Sequence, residues 1–369
     1  MKTDDLIKIL NQIAPEEAAF SFDNSGMNIR VSDEVSKAMI CVDVTYPIIE
    51  EAEKRGCDLI ISHHPLLFEQ MRNLDGRDRQ SALAIQLIRR GINLYCAHTS
   101  LDCSQQGINM GLAKLFGLSG VQGIEVSSKV PMCKVGVYAP IEYREKVEQA
   151  MFERQAGHMG GYDQCSFSVA GQGAFRPLDG ADPFIGKVNQ REQVEEVKVE
   201  VLARESEMNR LVAAIRQAHP YEEPAIDVYR LAYPVQQYYL GAVGELPAKL
   251  DAMRLGEKIK KLLETDTLLY CGPQDAEIKK LAICGGAGGD MLALVKDTGA
   301  DAFLTGEIKY HQYLEAMEMG LPIYVAGHYD TEKCARQILM ESLQNELNRL
   351  EYKLEMVLPN GEKRPYVAL

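Results

Sequence analysis

The chain has 369 residues, with 40 Lys and Arg against 53 Asp and Glu, a formal charge of −13. At about 150 residues per domain that length allows two to three domains, and the 46% apolar and 25% charged fractions exclude disordered and collagen-like architectures. The acidic balance, with no Lys/Arg run, argues against a nucleic-acid partner, whose phosphates need a basic surface.

The first third alternates helix and strand. Thr3 is expected to cap a helix that carries Leu6, Ile7, Leu10 and Ile13 on one face, with Pro15 after it. A strand over Ala38–Val44, a helix over Pro47–Arg55 and a strand over Asp58–Ser62 follow. A helix over Arg79–Arg90 and a strand over Ile92–Ala97 continue the pattern. Continuous apolar runs separated by helical periods predict βαβ units around a buried, largely parallel sheet.

The middle changes order. It reads strand (Cys133–Tyr138), helix (Tyr143–Arg154), strand (Gln164–Gly171), strand (Glu195–Leu202), helix (Met208–Ala218) and strand (Ala225–Leu231). This β-α-β-β-α-β order marks a ferredoxin-like unit. The expected organisation is therefore an α/β host of two βαβ-type halves, residues 1–129 and 236–369, with an inserted ferredoxin-like α+β domain over 130–235.

The last third returns to alternation. Strands are expected over Lys280–Cys284, Asp301–Thr305 and Pro322–Ala326, and helices over Gly289–Asp297 and Ile308–Glu318. A long helix then runs from Thr331 to about Leu350. No apolar stretch reaches the length of a membrane span. The start of the chain has no apolar h-region or cleavage site. Nine cysteines, an odd number without a C-x-x-C pair, read as reduced packing residues. The expected location is cytoplasmic.

Chemistry gathers at the strand ends. Asp58–Ser62 leads into His63-His64-Pro65, and Ile92–Ala97 into His98-Thr99-Ser100-Leu101-Asp102. The later strands lead into Gly285–Gly289, Thr305-Gly306-Glu307 and Gly327-His328-Tyr329-Asp330-Thr331-Glu332. Open α/β sheets bind ligands outside the carboxyl ends of their strands, so this edge is the expected site. Imidazole with carboxylate suits zinc, iron or manganese better than calcium or magnesium.

Adjacent side chains in extended backbone point to opposite sides, and Pro65 holds His64 extended. His63 and His64 therefore chelate one ion poorly, but each can serve its own ion of a close pair. Two carboxylates then bridge metals about 3.5–4 Å apart, as in two-metal hydrolases. His328 and Glu332, four residues apart, meet if a helix starts near Asp330.

Other features stay open. Gly285–Gly289 suits either a phosphate cradle or tight strand–helix packing. His311 is a neighbour of the site or a surface residue, Cys103 is expected to pack, and His158 and His219 belong to the insert.

The sequence resembles the Nif-three-like dinuclear metal-binding proteins, the GTP cyclohydrolase 1 type 2 homologues. The likeness rests on Phe22-Asp23-Asn24-Ser25-Gly26, Ser62-His63-His64-Pro65, His98-Thr99-x-x-Asp102, Thr305-Gly306-Glu307 and Gly327-His328-x-x-x-Glu332, in the family's order. It implies His63, His64, Asp102, His328 and Glu332 as ligands of two divalent ions per chain, zinc first and iron or manganese next. His98 and Glu307 become their catalytic neighbours. Phe22 stands where the family commonly has Trp. The insert is similar to the trimeric PII and CutA proteins, through Cys165-Ser166-Phe167 and His219-Pro220-Tyr221-Glu222-Glu223-Pro224. A toroidal homohexamer is implied as well.

Two functions compete. One is a metal-dependent hydrolase acting on a nucleotide or related N-heterocycle, with His98 or Glu307 moving protons. The other is a non-catalytic metal store, carrier or regulatory assembly whose insert senses a ligand. A nucleic-acid adaptor is disfavoured by the charge.

Overall fold

The computed structural model describes residues 1–69, 71, 73–233 and 236–367. The fold divides into two compact units, Met1–Ser128 with Tyr238–Leu369, and Lys129–Gln237. Residue 235, the expected end of the insert, lies outside the described residues.

In chain order the strands are β1 (Gly26–Ile29), β2 (Lys37–Cys41), β3 (Leu59–Ser62), β4 (Asn93–Cys96) and β5 (Ser119–Val130). The second unit holds β6 (Met132–Pro140), β7 (Ser166–Phe175), β8 (Glu192–Arg204) and β9 (Ile226–Arg230). The chain returns through β10 (Gln236–Asp251), β11 (Leu269–Cys271), β12 (Glu277–Ala287), β13 (Ala302–Glu307), β14 (Ile323–Val325) and β15 (Glu355–Val357).

The first unit has two sheets, ordered β1-β4-β3-β2-β15 and β11-β14-β13-β12-β10-β5. Their centres are parallel, as the continuous apolar runs require. Antiparallel β1, β10 and β11 flank them. Alternation along each strand serves two cores. Met39, Ile60 and Leu94 pack outward against Ile48, Ile49, Leu83 and Leu87 of helices Tyr46–Lys54 and Arg79–Arg89. Ile40, Leu59 and Ile61 face inward, onto helices Thr3–Ile13, Ile108–Phe116 and Ala335–Arg349. The same core takes in Leu281, Ile283 and Leu304 of the second sheet. Helices and sheets thus alternate in layers.

Three expectations need correction. Thr3 is not a cap: it is the first helical residue, fully buried, and its hydroxyl donates to the Ser32 carbonyl. The expected helix from Thr331 to Leu350 is two helices, His328–Glu332 and Ala335–Arg349. Thr331 donates its hydroxyl to the Gly327 and His328 carbonyls, a local bond that competes with helix continuation. Strand β12 runs on through Gly285 and Gly286 to Ala287, because β13 pairs with it that far.

In the second unit the sheet order is β7-β8-β6-β9, antiparallel throughout. This is the ferredoxin-like order. Val135, Val137, Val199 and Val201 cover one face with Val147, Met151, Leu211 and Ile215 from helices Arg144–Phe152 and Met208–Ala218. Among the described residues of the whole chain, no helix is long and apolar enough to cross a membrane.

Candidate metal centre

The carboxyl ends of β3, β4, β13 and β14 deliver His63, His98, Glu307 and His328 in turn. Strand β3 ends at Ser62, whose hydroxyl donates to the His64 carbonyl and shapes the turn between the two histidines. His63 is fully buried and its Nδ1 donates to the Ala97 carbonyl at 2.8 Å, which leaves Nε2 with a lone pair. Asp102 reaches the same spot from the short helix Thr99–Asp102, its backbone carbonyl accepting from Asn109 Nδ2. Glu332 arrives on His328–Glu332, one turn beyond His328.

These groups converge. His63 Nε2 lies 3.8 Å from Asp102 Oδ1 and 3.7 Å from Glu332 Oε1. Glu332 Oε2 lies 2.9 Å from His64 Nε2 and 3.0 Å from His328 Nε2. Ligand atoms of His63, His64 and Glu332 all fall within 4.8 Å of one another, so this cluster can hold a metal ion.

Two buried atoms argue the fit. His63 Nε2 and Asp102 Oδ1 make no hydrogen bond, although each is out of reach of water. Unsatisfied buried polar atoms are costly and uncommon. A nitrogen lone pair placed between two carboxylates is a donor set that a divalent cation would satisfy, and imidazole with carboxylate suits zinc, iron or manganese.

Glycines make room for the cluster. Gly286 has a φ of +65°, and a Cβ there would fall 2.1 Å from Glu332 Oε1. For Gly285–Gly289 these contacts support the tight-packing alternative. The amides of Gly285, Gly286 and Gly288 already donate to Asn109 Oδ1, Thr331 Oγ1 and Thr305 Oγ1.

The charges are strongly perturbed. Burial works against charge on His64, yet bonds to Asp43 and Glu332 push its pKa up to about 10. Burial likewise opposes charge on Glu332, but the nearby His63 imidazole and the bonds to His328 and His64 hold it well below the usual carboxylate range. Burial pushes Asp102 up, against the pull of His63. His63 and His328 are both raised, their carboxylate neighbours outweighing desolvation.

Two carboxylates were given no role in the sequence reading, although Asp23 stood in the Phe22–Gly26 motif. Asp43 accepts from His64 Nδ1 at 2.9 Å and fixes that ring. Its signal was present: β2 stops at Cys41, so Asp43 stands at the same sheet edge, but the expected strand to Val44 enclosed it. Asp23 accepts from His98 Nδ1 at 2.7 Å, from the Thr99 hydroxyl at 2.5 Å and from Ser25 Oγ at 2.7 Å. Its loop has no periodicity to mark it.

The remaining candidates sort by position. The His98 ring lies 5.4 Å from that of His63, inside the cluster. Glu307 is exposed at the rim, Oε1 3.4 Å from His328 Nδ1. His311 is an exposed surface residue. Cys103 is buried, and burial pushes its thiol far up, away from the thiolate a ligand needs. His219 uses both ring nitrogens within the second unit, on the Tyr138 carbonyl and the Tyr221 amide. His158 is exposed there, bonded to the Gln155 carbonyl.

Known proteins share this fold and sequence along nearly the full chain. A Listeria innocua protein described as a GTP cyclohydrolase 1 type 2 homolog is 34% identical over 360 residues, 97% of this chain and 96% of that protein. A Bacillus subtilis protein of the same description is 32% identical over 365 residues, 99% and 98% of the two chains. The crystal structure of a Bacillus cereus protein related to NIF3 superposes with a TM-score of 0.91 at 30% identity, covering 100% of this chain and 99% of that one. A Staphylococcus aureus structure gives 0.77 at 28% identity, with coverages of 100% and 99%. The family model described as Duf34/NIF3 (NGG1p interacting factor 3) matches residues 1–365. The chain belongs to the Duf34/NIF3 family.

Proposed function

We propose that the protein is a divalent-metal-dependent hydrolase acting on a nucleotide or related N-heterocycle, the chemistry that its relatives' description as GTP cyclohydrolase 1 type 2 homologs implies. The observation that carries this reading is the pair of buried, unpartnered atoms His63 Nε2 and Asp102 Oδ1 facing Glu332. His63, His64, Asp102, His328 and Glu332 would hold the metal, zinc by the donor set. Glu332 directs Oε1 toward His63 and Oε2 toward His64 and His328, which supports two ions sharing that carboxylate. Divalent ions in such a centre acidify water and polarise an electron-poor carbon or phosphorus.

The chain's own residues handle protons. Asp23 anchors His98 Nδ1 and leaves Nε2 as the acid–base atom, the arrangement by which a carboxylate sets a histidine's tautomer. Asp43 fixes His64 likewise. Glu307, exposed beside His328, is the second proton carrier of the proposal. We place the protein in the cytoplasm as a toroidal homohexamer, checked by sedimentation velocity giving six times the chain mass.

The test is turnover of zinc-loaded protein against a nucleotide panel, followed by chromatography of the products. Activity that falls at least a hundredfold in His98→Gln, with metal content intact, is the expected result. Absence of turnover across the panel by fully loaded protein would favour metal storage, delivery or regulation.

A further inference from the structure

The face of the second unit's sheet opposite its helices carries a cavity of about 410 Å³, which no part of the proposed hydrolase uses. Tyr138 on β6, Gly173 on β7 and Glu196 on β8 line it, together with Phe175, Phe184 and Tyr221. The Phe175 and Phe184 rings lie 5.8 and 6.3 Å from that of Tyr221, so the walls are aromatic on both sides.

Glu196 is the unusual member. It is only 9% exposed, and its Oε1 accepts from the Tyr221 hydroxyl at 2.9 Å. Oε2 receives no hydrogen bond from the described residues. Gly173 exists to admit it: a Cβ there would fall 2.0 Å from that oxygen, while the backbone is not in the left-handed region. The glycine therefore serves the carboxylate's space and not a turn.

Among the described residues, no cation forms an ion pair with Glu196. Lys198, next on the same face, pairs with Glu200 at 2.9 Å, and Arg216 pairs with Glu223 at 3.2 Å. His219 donates from Nε2 to the Tyr138 carbonyl and accepts at Nδ1 from the Tyr221 amide, which makes it the neutral tautomer. Arg176 lines the cavity and is itself exposed, against the carboxylates of Glu196, Glu222 and Glu223. Glu222 accepts from the Asp182 amide at 3.1 Å and ties the loop after β7 to the turn after His219. The walls are thus held before any ligand arrives.

The Glu196 side chain is largely buried while its Oε2 opens on the cavity and is free to accept from a ligand, and aromatic faces attract cations. We propose that this cavity binds a small organic ammonium ion with an aromatic or apolar body. Its ammonium group donates to Glu196 Oε2, and its body lies among Phe175, Phe184 and Tyr221.

The experiment uses the full chain and two probes of nearly equal shape, phenethylamine and uncharged 2-phenylethanol, with binding followed by saturation-transfer NMR and calorimetry. Phenethylamine should bind saturably and at least tenfold more tightly than the alcohol. Glu196→Gln should abolish that preference. Phe184→Ala, at a half-exposed loop residue outside the second unit's apolar core, should weaken the amine at least threefold. Equal affinity for the two probes, an unchanged preference in Glu196→Gln, or no saturable binding by benzylamine, phenethylamine and phenylpropylamine alike would overturn the proposal. Because the measurement needs neither metal nor turnover, its outcome is independent of the hydrolase reading.

Discussion

Glu332 carries two jobs with one carboxylate, each oxygen aimed at a different histidine group. Glu332→Gln is therefore expected to lower metal content at both positions, whereas His63→Ala empties mainly one. Elemental analysis of native and variant proteins checks this, and a single native equivalent untouched by Glu332→Gln would contradict the shared carboxylate. Asp43 acts one step back, through His64 Nδ1. Its replacement by Ala should weaken metal affinity by about 10–100-fold, the usual cost of removing such a support, measured by chelator competition. Asp23 is a different case because its charge supports the fold. Burial opposes its ionisation, but the His98 bond and charge with the Thr99 and Ser25 bonds hold its pKa well below the ordinary value. A depressed folded pKa stabilises fully above the unfolded value, about 3.9, and that stability is lost as pH falls through the folded value. Asp23→Asn should thus cost on the order of 1–3 kcal/mol at neutral pH, with the gap from native narrowing below about pH 4. Urea denaturation across pH reads it, and a gap constant down to strong acid would refute it.

Among elements, β12 and the helix His328–Glu332 are fitted to one another through glycine. A methyl group at Gly286 meets the Glu332 carboxylate and also strains a left-handed backbone. Gly286→Ala should cost about 1–2 kcal/mol of stability from the backbone conformation, and should cost far more in metal retention. Retained metal in a variant with a lowered melting temperature would show that Glu332 adapts, against this expectation. The neighbouring glycines follow the same logic, since Cβ atoms at Gly288 and Gly289 would overlap Thr305 Oγ1 at 2.5 Å and Gln312 Oε1 at 2.0 Å. A run of glycines that suits phosphate binding is here a consequence of side chains pressed onto a strand end.

For the whole molecule, the second unit has its own apolar core and contains no member of the metal cluster. Strands β5 and β10 are neighbours in the first unit's sheet, and the chain leaves that unit along one and returns along the other. We expect deletion of residues 130–235, bridged by a short Gly/Ser linker, to leave a folded protein that binds its metals. Losses should appear in assembly or in the response to ligands of the second unit. A truncated chain that melts cooperatively but no longer retains metal would show instead that the second unit completes the site.

Local sequence was enough wherever short-range physics decides the outcome. Leu-Ile-Ile and Ala-Phe-Leu are buried on both faces, so they read as parallel strands without their neighbours. Because such strands end in line, His63, His98 and His328 were legible as one edge. The ferredoxin-like order was legible too, as its strands and helices each carry their own period. Strands β5 and β10 were not: their mixed polar and glycine sequences become strands through pairing with each other and with β12. Asp43 was hidden because a strand's last residue is set by its partner's length, and Asp23 because a loop's course is set by what it packs on. The donor types of the metal centre therefore belong to the sequence, which places histidine and carboxylate at strand ends. Apart from the helical His328–Glu332 contact and the adjacent His63 and His64, the distances among them arise only from tertiary packing. So do the carboxylates that hold His64 and His98 and the vacancy Gly173 leaves for Glu196, since each joins residues distant in the chain.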